Sequence, residues 1–137
     1  MKEAIIVDTG YWIALFDRRD TNHAAAKRNS KTLLQNYRLY LTDFIIFETI
    51  TYLNCSIGRH DLALRFLEKT KESTLTVVPA DDGVKKEALE LFTRYSDKAL
   101  SVTDFTSFVI MKEKGIQKYA GFDEHFKQMG YNSVLEP

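Results

Sequence analysis

The apolar residues of this chain follow two kinds of pattern, short runs and longer stretches with helical spacing. Short, nearly continuous apolar runs are typical of strands buried on both faces, as in a parallel sheet. They predict five strands, at residues 4–7, 39–41, 75–78, 119–122 and 133–135. Between them, apolar side chains recur every three or four residues, which predicts helices over residues 46–57, 63–70, 84–95, 105–112 and 124–129. Strands that alternate with helices predict an α/β fold with right-handed crossovers.

Several helix boundaries have signals of their own. Gly58 and Gly115 lie where a C-terminal cap belongs, and Asp81 and Asp82 mark the start of a helix. No repeat, low-complexity tract or linker interrupts the 137 residues, which is the length of one domain. We therefore expect a single domain over residues 1–137, with a core large enough to fold without disulfides.

Composition narrows the class of protein. Cys55 is the only cysteine, which excludes a disulfide framework and a zinc–thiolate cluster and favours a reducing compartment. The apolar stretches are too short, or too interrupted by Glu48, for a signal peptide or a membrane span, so we expect a cytoplasmic protein. The formal net charge is zero. Proteins that bind nucleic acid through bulk charge are basic, so binding of nucleic acid by this chain would need local basic patches, metal ions or a transient grip.

Two acids follow predicted strands. Asp8 comes directly after the first strand, and Asp123 directly after the fourth. Ligands of parallel sheets bind beyond the carboxyl ends of the strands, so both positions suit a functional site. Each acid also suits the N-cap of the helix that follows it. By its position alone, Asp8 suits a functional site and an N-cap equally well, whereas Asp123 better suits an N-cap. The occurrence of two acids at the ends of two strands favours a functional site for both.

Two further acids belong to predicted helices. Glu48 lies in mid-helix on a largely apolar face, with Tyr52 and Cys55 one and two turns later. A lone buried carboxylate is costly unless it is paired or binds a metal; alternatively, this face is the rim of the apolar stripe and Glu48 reaches water. Asp104 opens a helix, where an acid usually complements the helix dipole. Taken singly, Asp104 is better explained by that structural role.

As a set, the four acids indicate more than each does alone. Like charges gathered in one cleft raise their pKa values and destabilise the metal-free protein, and a bound divalent cation reverses that effect. Oxygen ligands without histidine or cysteine suit hard cations such as Mg²⁺ or Mn²⁺. The three histidines lack zinc-ligand spacing, and the sequence has neither a glycine-rich phosphate loop nor a nucleophile elbow.

The four acids and the segments around them resemble the PIN domain, specifically the compact VapC-type toxins of bacterial and archaeal toxin–antitoxin pairs. The similar segments are residues 6–15, 17–26, 42–48, 100–104 and 121–126. The resemblance covers essentially the whole chain and rests on the order, the spacing and the full set of acids. Gly10 departs from the family, where serine or asparagine is common, and Phe105 replaces a small residue.

The resemblance implies a three-layer α/β/α fold with a parallel five-stranded sheet in the order 3-2-1-4-5. It implies a metal-dependent endoribonuclease that uses Mg²⁺ or Mn²⁺. Asp8, Glu48 and Asp104 would hold the principal metal, and Asp123 would orient a water or complete a second metal site. The family also implies a homodimer and a cognate antitoxin inserted near the site.

The resemblance also suggests supporting residues near the acids. Thr9, Ser101 and Thr103 are candidates, although Ser101 and Thr103 suit capping of the next helix equally well. Six cations are candidates for contacts with the RNA backbone, although most of them suit an ordinary surface role: Arg18, Arg19, Lys27, Arg28, Arg59 and Lys118.

Two other functions compete with the nuclease. A non-catalytic PIN-fold scaffold or protein-binding module would suit the balanced charge, but a scaffold has no need to gather like charges. A magnesium-dependent phosphatase or phosphoacceptor domain would need an acid pair near the first strand and a lysine after a late strand. Asp8 stands alone and Lys118 precedes its strand, so the sequence favours this alternative least.

Overall fold

The computed structural model describes residues 1–96 and 99–137. Its strands form one sheet: β1 (Glu3–Val7), β2 (Tyr37–Thr42), β3 (Leu75–Val78), β4 (Lys118–Ala120) and β5 (Asn132–Ser133). The strand order is β3-β2-β1-β4-β5, and the pairings are parallel. The predicted sheet and its order are confirmed. β1 lies at the centre, where the two halves of such a sheet diverge and ligands usually bind.

Helices cover both faces of the sheet. They are α1 (Thr9–Phe16), α2 (His23–Asn36), α3 (Asp43–Thr51), α4 (His60–Lys69), α5 (Asp82–Arg94), α6 (Val102–Lys114) and α7 (His125–Gln128). Helices α1 to α4 pack on one face around Trp12 and Phe66, and α5 to α7 pack on the other around Phe108 and Phe126. In the described parts of the chain, no helix is both long and apolar enough to cross a membrane.

The central strand β1 is apolar at successive positions because both of its faces are buried. Ile5 and Val7 belong to the core beneath α1 to α4, whereas Ile6 belongs to the core beneath α5 to α7. All three side chains are fully buried. Because successive side chains of a strand alternate between faces, Asp8 continues the alternation toward the face that carries α6.

The end of β4 differs from the prediction. The strand ends at Ala120 rather than at residue 122, and its last carbonyl accepts the Asp8 amide at 2.9 Å. Gly121 then passes so close to β1 that a Cβ built on it would lie 3.2 Å from the Asp8 Cβ. Phe122 leaves the sheet and stacks on Tyr11, with ring centroids 6.2 Å apart. Asp123 therefore lies in a loop and does not directly follow the strand.

Two other elements differ in their bounds. β5 ends at Ser133, whose hydroxyl accepts the Leu135 amide at 3.2 Å and so turns the chain out of the sheet. The helix predicted over residues 46–57 divides into α3 and a π-helical segment, Tyr52–Ser56. Gly58 and Gly115 have φ values of 73° and 68°, the left-handed conformation expected of C-terminal glycines.

Candidate active site

Asp8 is an almost fully buried carboxylate at the carboxyl end of β1, with 5% of its surface exposed. It occupies the N-cap position of α1, and its carbonyl accepts the Tyr11 amide at 3.1 Å. Its side chain makes no capping hydrogen bond within the described chain, and its buried Oδ1 has no hydrogen-bond partner there. The capping alternative therefore holds for the backbone of Asp8 and not for its carboxylate.

Asp104 lies in the first turn of α6 and combines two roles. Its amide donates to the Ser101 hydroxyl at 3.0 Å, and its Oδ2 accepts the Ser101 amide at 3.1 Å, which together form a capping box. The first-turn position predicted for Asp104 is thus confirmed, although its structural role there is that of a capping box, and the capping role of Ser101 is confirmed as well. The same two hydrogen bonds fix the direction of a carboxylate that is only 9% exposed.

The pKa values of Asp8 and Asp104 respond to the charges of the other predicted acids. Burial raises the pKa of Asp8 from 3.8 to about 8, with further increases from the charges of Asp104, Glu48 and Asp123. Burial also raises the pKa of Asp104; Glu48 and Asp123 add to the rise, and hydrogen bonds from Ser101 oppose it. Coulombic effects fall with distance. The structure therefore brings all four acids into one cluster, with Asp8 and Asp104 buried within it.

Glu48 extends this acid cluster into an open cleft of about 700 Å³. The cleft runs along α3 and the π-helical segment and is also lined by Thr103 and Lys85. Phe47 and Tyr52 are 66% and 42% exposed beside it. Glu48 is half-buried, so its face of α3 is the rim of the apolar stripe, as the alternative interpretation proposed. The cleft offers aromatic surface and one lysine beside the acids.

Asp123 is the most exposed of the four acids, with 44% of its side-chain surface accessible. Its Oδ1 accepts the backbone amide of His125 at 2.8 Å and lies 3.0 Å from the His125 Nδ1. The local role at the start of α7 is therefore real, although Glu124 occupies the N-cap position itself. Asp123 supplies a solvent-facing carboxylate at the edge of the cluster.

The donor set suits a hydrated hard cation better than a closed protein cage. Within residues 1–96 and 99–137, no three histidine, cysteine, aspartate or glutamate side chains are arranged to hold one ion. Mg²⁺ usually keeps several waters and takes only one or two protein carboxylates. The cluster offers oxygen donors alone, and the buried Asp8 Oδ1 has no competing partner among the described residues. The residues present therefore fit Mg²⁺ or Mn²⁺ with water completing the coordination.

A family model provides the identification. The model of the PIN domain matches residues 5–131, a span that contains all four acids. This chain belongs to the PIN domain family. Curated relatives include the 23S rRNA-specific endonuclease VapC20 from two strains of Mycobacterium tuberculosis. It is 31% identical over 132 residues, which cover 95% of this chain and 97% of the relative.

Solved structures of similar fold agree with this assignment. M. tuberculosis VapC20, described as a sarcin–ricin loop cleaving toxin, matches with a TM-score of 0.89 and 28% identity over 97% of this chain and all of its own. VapBC2 from Rickettsia felis, bound to a promoter DNA fragment, has a TM-score of 0.70 at 10% identity, with 95% and 96% covered. FitAcB from Neisseria gonorrhoeae has a TM-score of 0.66 at 14% identity, with 94% and 95% covered. The last two share the fold.

The remaining supporting candidates flank the acids of this PIN domain. Thr9 is buried, and its Oγ1 has no hydrogen-bond partner in the part of the chain that the structure describes. Thr103 is buried at the wall of the cleft. Of the two departures from the family, Gly10 has open space where a Cβ would lie. Phe105 packs against Tyr95, with ring centroids 6.1 Å apart.

Two residues of the site were missed from the sequence. Lys85 borders the cleft from α5, but it is remote in sequence from Glu48 and nothing in its local pattern distinguishes it from a surface lysine. The histidines were considered only as zinc ligands, whereas the ring of His125, at the start of α7, contacts Asp123. Lys118, one of the candidates for RNA contacts, begins β4 and pairs with Glu3 at 3.1 Å.

Proposed function

We propose that this PIN domain is a metal-dependent endoribonuclease that hydrolyses RNA phosphodiester bonds as the toxin of a toxin–antitoxin pair. The observation that carries the proposal is the buried Asp8 carboxylate, which has an unpartnered oxygen and three acidic neighbours. Such an arrangement is unfavourable in a metal-free protein and favourable beside a divalent cation. The similarity to an endonuclease along nearly the whole chain supports it. We further propose that one domain spans residues 1–137.

Mg²⁺ or Mn²⁺ is the proposed cofactor. Asp8, Glu48, Asp104 and Asp123 would hold it, directly or through water. When bound, such a cation activates water for attack on phosphorus and neutralises the negative charge of the transition state. Asp8 is fixed by β1, and Asp104 is fixed by its capping box with Ser101. These buried acids are therefore positioned before any substrate arrives.

The other residues of the site suit RNA. Glu48 and Asp123 are accessible to solvent, so a phosphate can approach them. Lys85 offers one positive charge for a neighbouring phosphate, and the rings of Phe47 and Tyr52 offer apolar surface on which unpaired bases can stack. A grip that depends on a local cleft and a cation is consistent with a net charge of zero.

We propose 23S rRNA as the substrate. The relative that matches 95% of this chain is a 23S rRNA-specific endonuclease, and its solved structure is described as that of a sarcin–ricin loop cleaving toxin. We also propose a cytoplasmic location, where a ribosomal substrate would be available. We also propose a cognate antitoxin, as in the VapBC2 complex, and a homodimer, for which exposed Leu89 and Phe92 on α5 offer an apolar contact surface.

The test is cleavage of 23S rRNA, in ribosomes and free of protein, with Mg²⁺, Mn²⁺ or EDTA. Asp8→Asn removes one charge from the cluster, and Asp82→Asn is its matched control in the exposed first turn of α5. We expect cleavage that requires both metal and Asp8, mapped to one site by primer extension. Metal binding without cleavage of any RNA would favour the scaffold alternative. Failure of the protein to bind metal would overturn the proposed site.

A further inference from the structure

Ser107 is a buried hydroxyl of α6 that the site described so far does not use. The residue has no exposed surface, and its Oγ has no hydrogen-bond partner among the described residues. A serine inside a helix usually donates to the carbonyl four residues earlier, which here belongs to Thr103. Thr106 donates to that carbonyl instead, at 2.6 Å. The Ser107 hydroxyl therefore does not make the usual hydrogen bond within its own helix.

Helical geometry places Ser107 one turn beyond Asp104, near the side of α6 on which Thr103 lies. At 3.6 residues per turn, its direction lies about 40° from that of Thr103 and about 60° from that of Asp104, one turn further along α6. Thr103 faces the cleft beside Glu48, and Asp104 acts on the charge of Asp8. Side chains of a helix tilt toward its N-terminus. The Ser107 side chain is thus aimed at the end of α6 where the acids gather.

Ser107 Oγ and Asp8 Oδ1 have no hydrogen-bond partner among the described residues, and neither do Thr9 Oγ1 and His125 Nδ1. A buried hydroxyl without a partner destabilises a protein, and the same is true of the buried Asp8 Oδ1. Carboxylates that bind a metal are usually held by hydrogen bonds from outer residues. A donor aimed at the acids and free of other bonds among the described residues is suited to that purpose.

We propose that Ser107 is a positioning residue of the metal site: on cation binding, its hydroxyl donates to a carboxylate of the acid cluster and orients that ligand. The inference rests on the proposed function, because it assumes that the cluster binds Mg²⁺ or Mn²⁺. It adds a residue that is not among the four acids or their predicted supporting residues.

The decisive variant is Ser107→Ala, measured by calorimetric titration with Mn²⁺ and by thermal unfolding without metal. Loss of an outer hydrogen bond to a ligand typically weakens metal affinity by about 10- to 100-fold, and we expect a loss in that range. We expect the melting temperature of the metal-free variant to equal or exceed that of the native protein, because no hydrogen bond is lost there. Ser107→Cys, which keeps the volume but offers only a weak donor, should also weaken binding.

Thr49→Val is the matched control. Thr49 is equally buried in a helix of the same domain, but its hydroxyl already donates to the Ile45 carbonyl at 2.7 Å. Its replacement should lower the melting temperature of the metal-free protein and leave the Mn²⁺ affinity unchanged. Ser107→Ala should therefore change the Mn²⁺ affinity alone, and Thr49→Val should change the metal-free melting temperature alone.

The outcomes separate this inference from the proposed function. Native affinity for Mn²⁺ in both Ser107 variants would overturn the positioning role and leave the metal site intact. A lower metal-free melting temperature with native affinity would show that Ser107 is structural. If the native protein binds no Mn²⁺, or if Asp8→Asn binds it as well as the native protein does, the proposed site is wrong and the inference is wrong with it.

Discussion

Asp8 is the residue whose surroundings are least favourable to its own charge. Burial and three neighbouring carboxylates raise its pKa from 3.8 to about 8, so the folded metal-free protein holds a proton that the unfolded chain releases. Between these two pKa values the folded state binds more protons than the unfolded state, and its stability therefore falls as the pH rises. In the proposed metal site, a divalent cation would take the place of that proton. Asp8 thus weakens the metal-free fold at neutral pH and would favour the metal-bound one.

Asp8→Asn should remove this dependence on pH. Each pKa unit corresponds to about 1.4 kcal/mol, so we expect the variant to be more stable than the native metal-free protein at pH 8 by more than about 1.4 kcal/mol. The difference should shrink as the pH falls toward 3.8, because Asp8 then becomes protonated in the unfolded chain as well. Denaturant unfolding in EDTA at several pH values measures it, with Asp82→Asn as the control. A variant less stable than the native protein at pH 8 would show that the carboxylate has a structural role.

When Mn²⁺ is present, we expect the native protein to be more stable than Asp8→Asn. We expect Mn²⁺ to bind the folded native protein and to raise its melting temperature by mass action. Asp8→Asn, without the buried anionic oxygen, should show little or no rise at the same Mn²⁺ concentration. Equal rises in both proteins would place the cation somewhere other than beside Asp8.

Among the elements, α6 joins the fold most directly to the candidate site. Its residues 103–111 are all buried, which anchors the helix between the sheet and its neighbours. Its N-terminus carries Asp104 and the capping Ser101, and Gly115 ends the other terminus in the left-handed conformation. A helix so completely enclosed cannot shift without disturbing the core. The direction of the Asp104 carboxylate is therefore set by packing as well as by hydrogen bonds.

Ser101→Ala should affect both stability and metal binding. Loss of an N-cap side chain costs about 1 kcal/mol, and the capping box that orients Asp104 would be lost with it. Asp81→Ala is the control, because Asp81 caps α5 by accepting the Val84 amide at 2.8 Å but lies on a helix without any of the four acids. We expect similar losses in the free energy of unfolding and a weaker Mn²⁺ affinity in Ser101→Ala alone. Equal Mn²⁺ affinities would mean that capping contributes only to stability.

For the whole molecule, periodicity and resemblance predicted the sheet and the four acids but not how the chain completes the site. The continuous apolar run before Asp8 indicates a central strand because both faces of β1 are covered. The end of β4 could not be predicted, since it depends on the approach of Gly121 to Asp8 across the sheet. Lys85 and Ser107 have no local signal at all. Their importance comes only from tertiary packing, which brings α5 and α6 beside α3.

The proposed homodimer has a candidate contact surface on α5. Leu89 and Phe92 on α5 are 53% and 49% exposed and lie three residues apart, on one face of the helix. Burial of apolar side chains between two copies would remove this surface from water. Leu89→Asp should weaken self-association by at least about tenfold, as loss of a central apolar contact typically does.

Sedimentation equilibrium across a range of concentrations measures that change. Leu64→Asp is the control, because Leu64 is 50% exposed on α4, which covers the opposite face of the sheet. We expect the native protein and Leu64→Asp to remain dimers at concentrations where Leu89→Asp is a monomer. A native monomer would contradict the homodimer itself, whereas dimers in all three proteins would place the interface away from Leu89. Because Lys85 lies one turn before Leu89 on the same helix, a dimer formed through α5 would bring the second copy to the edge of the cleft.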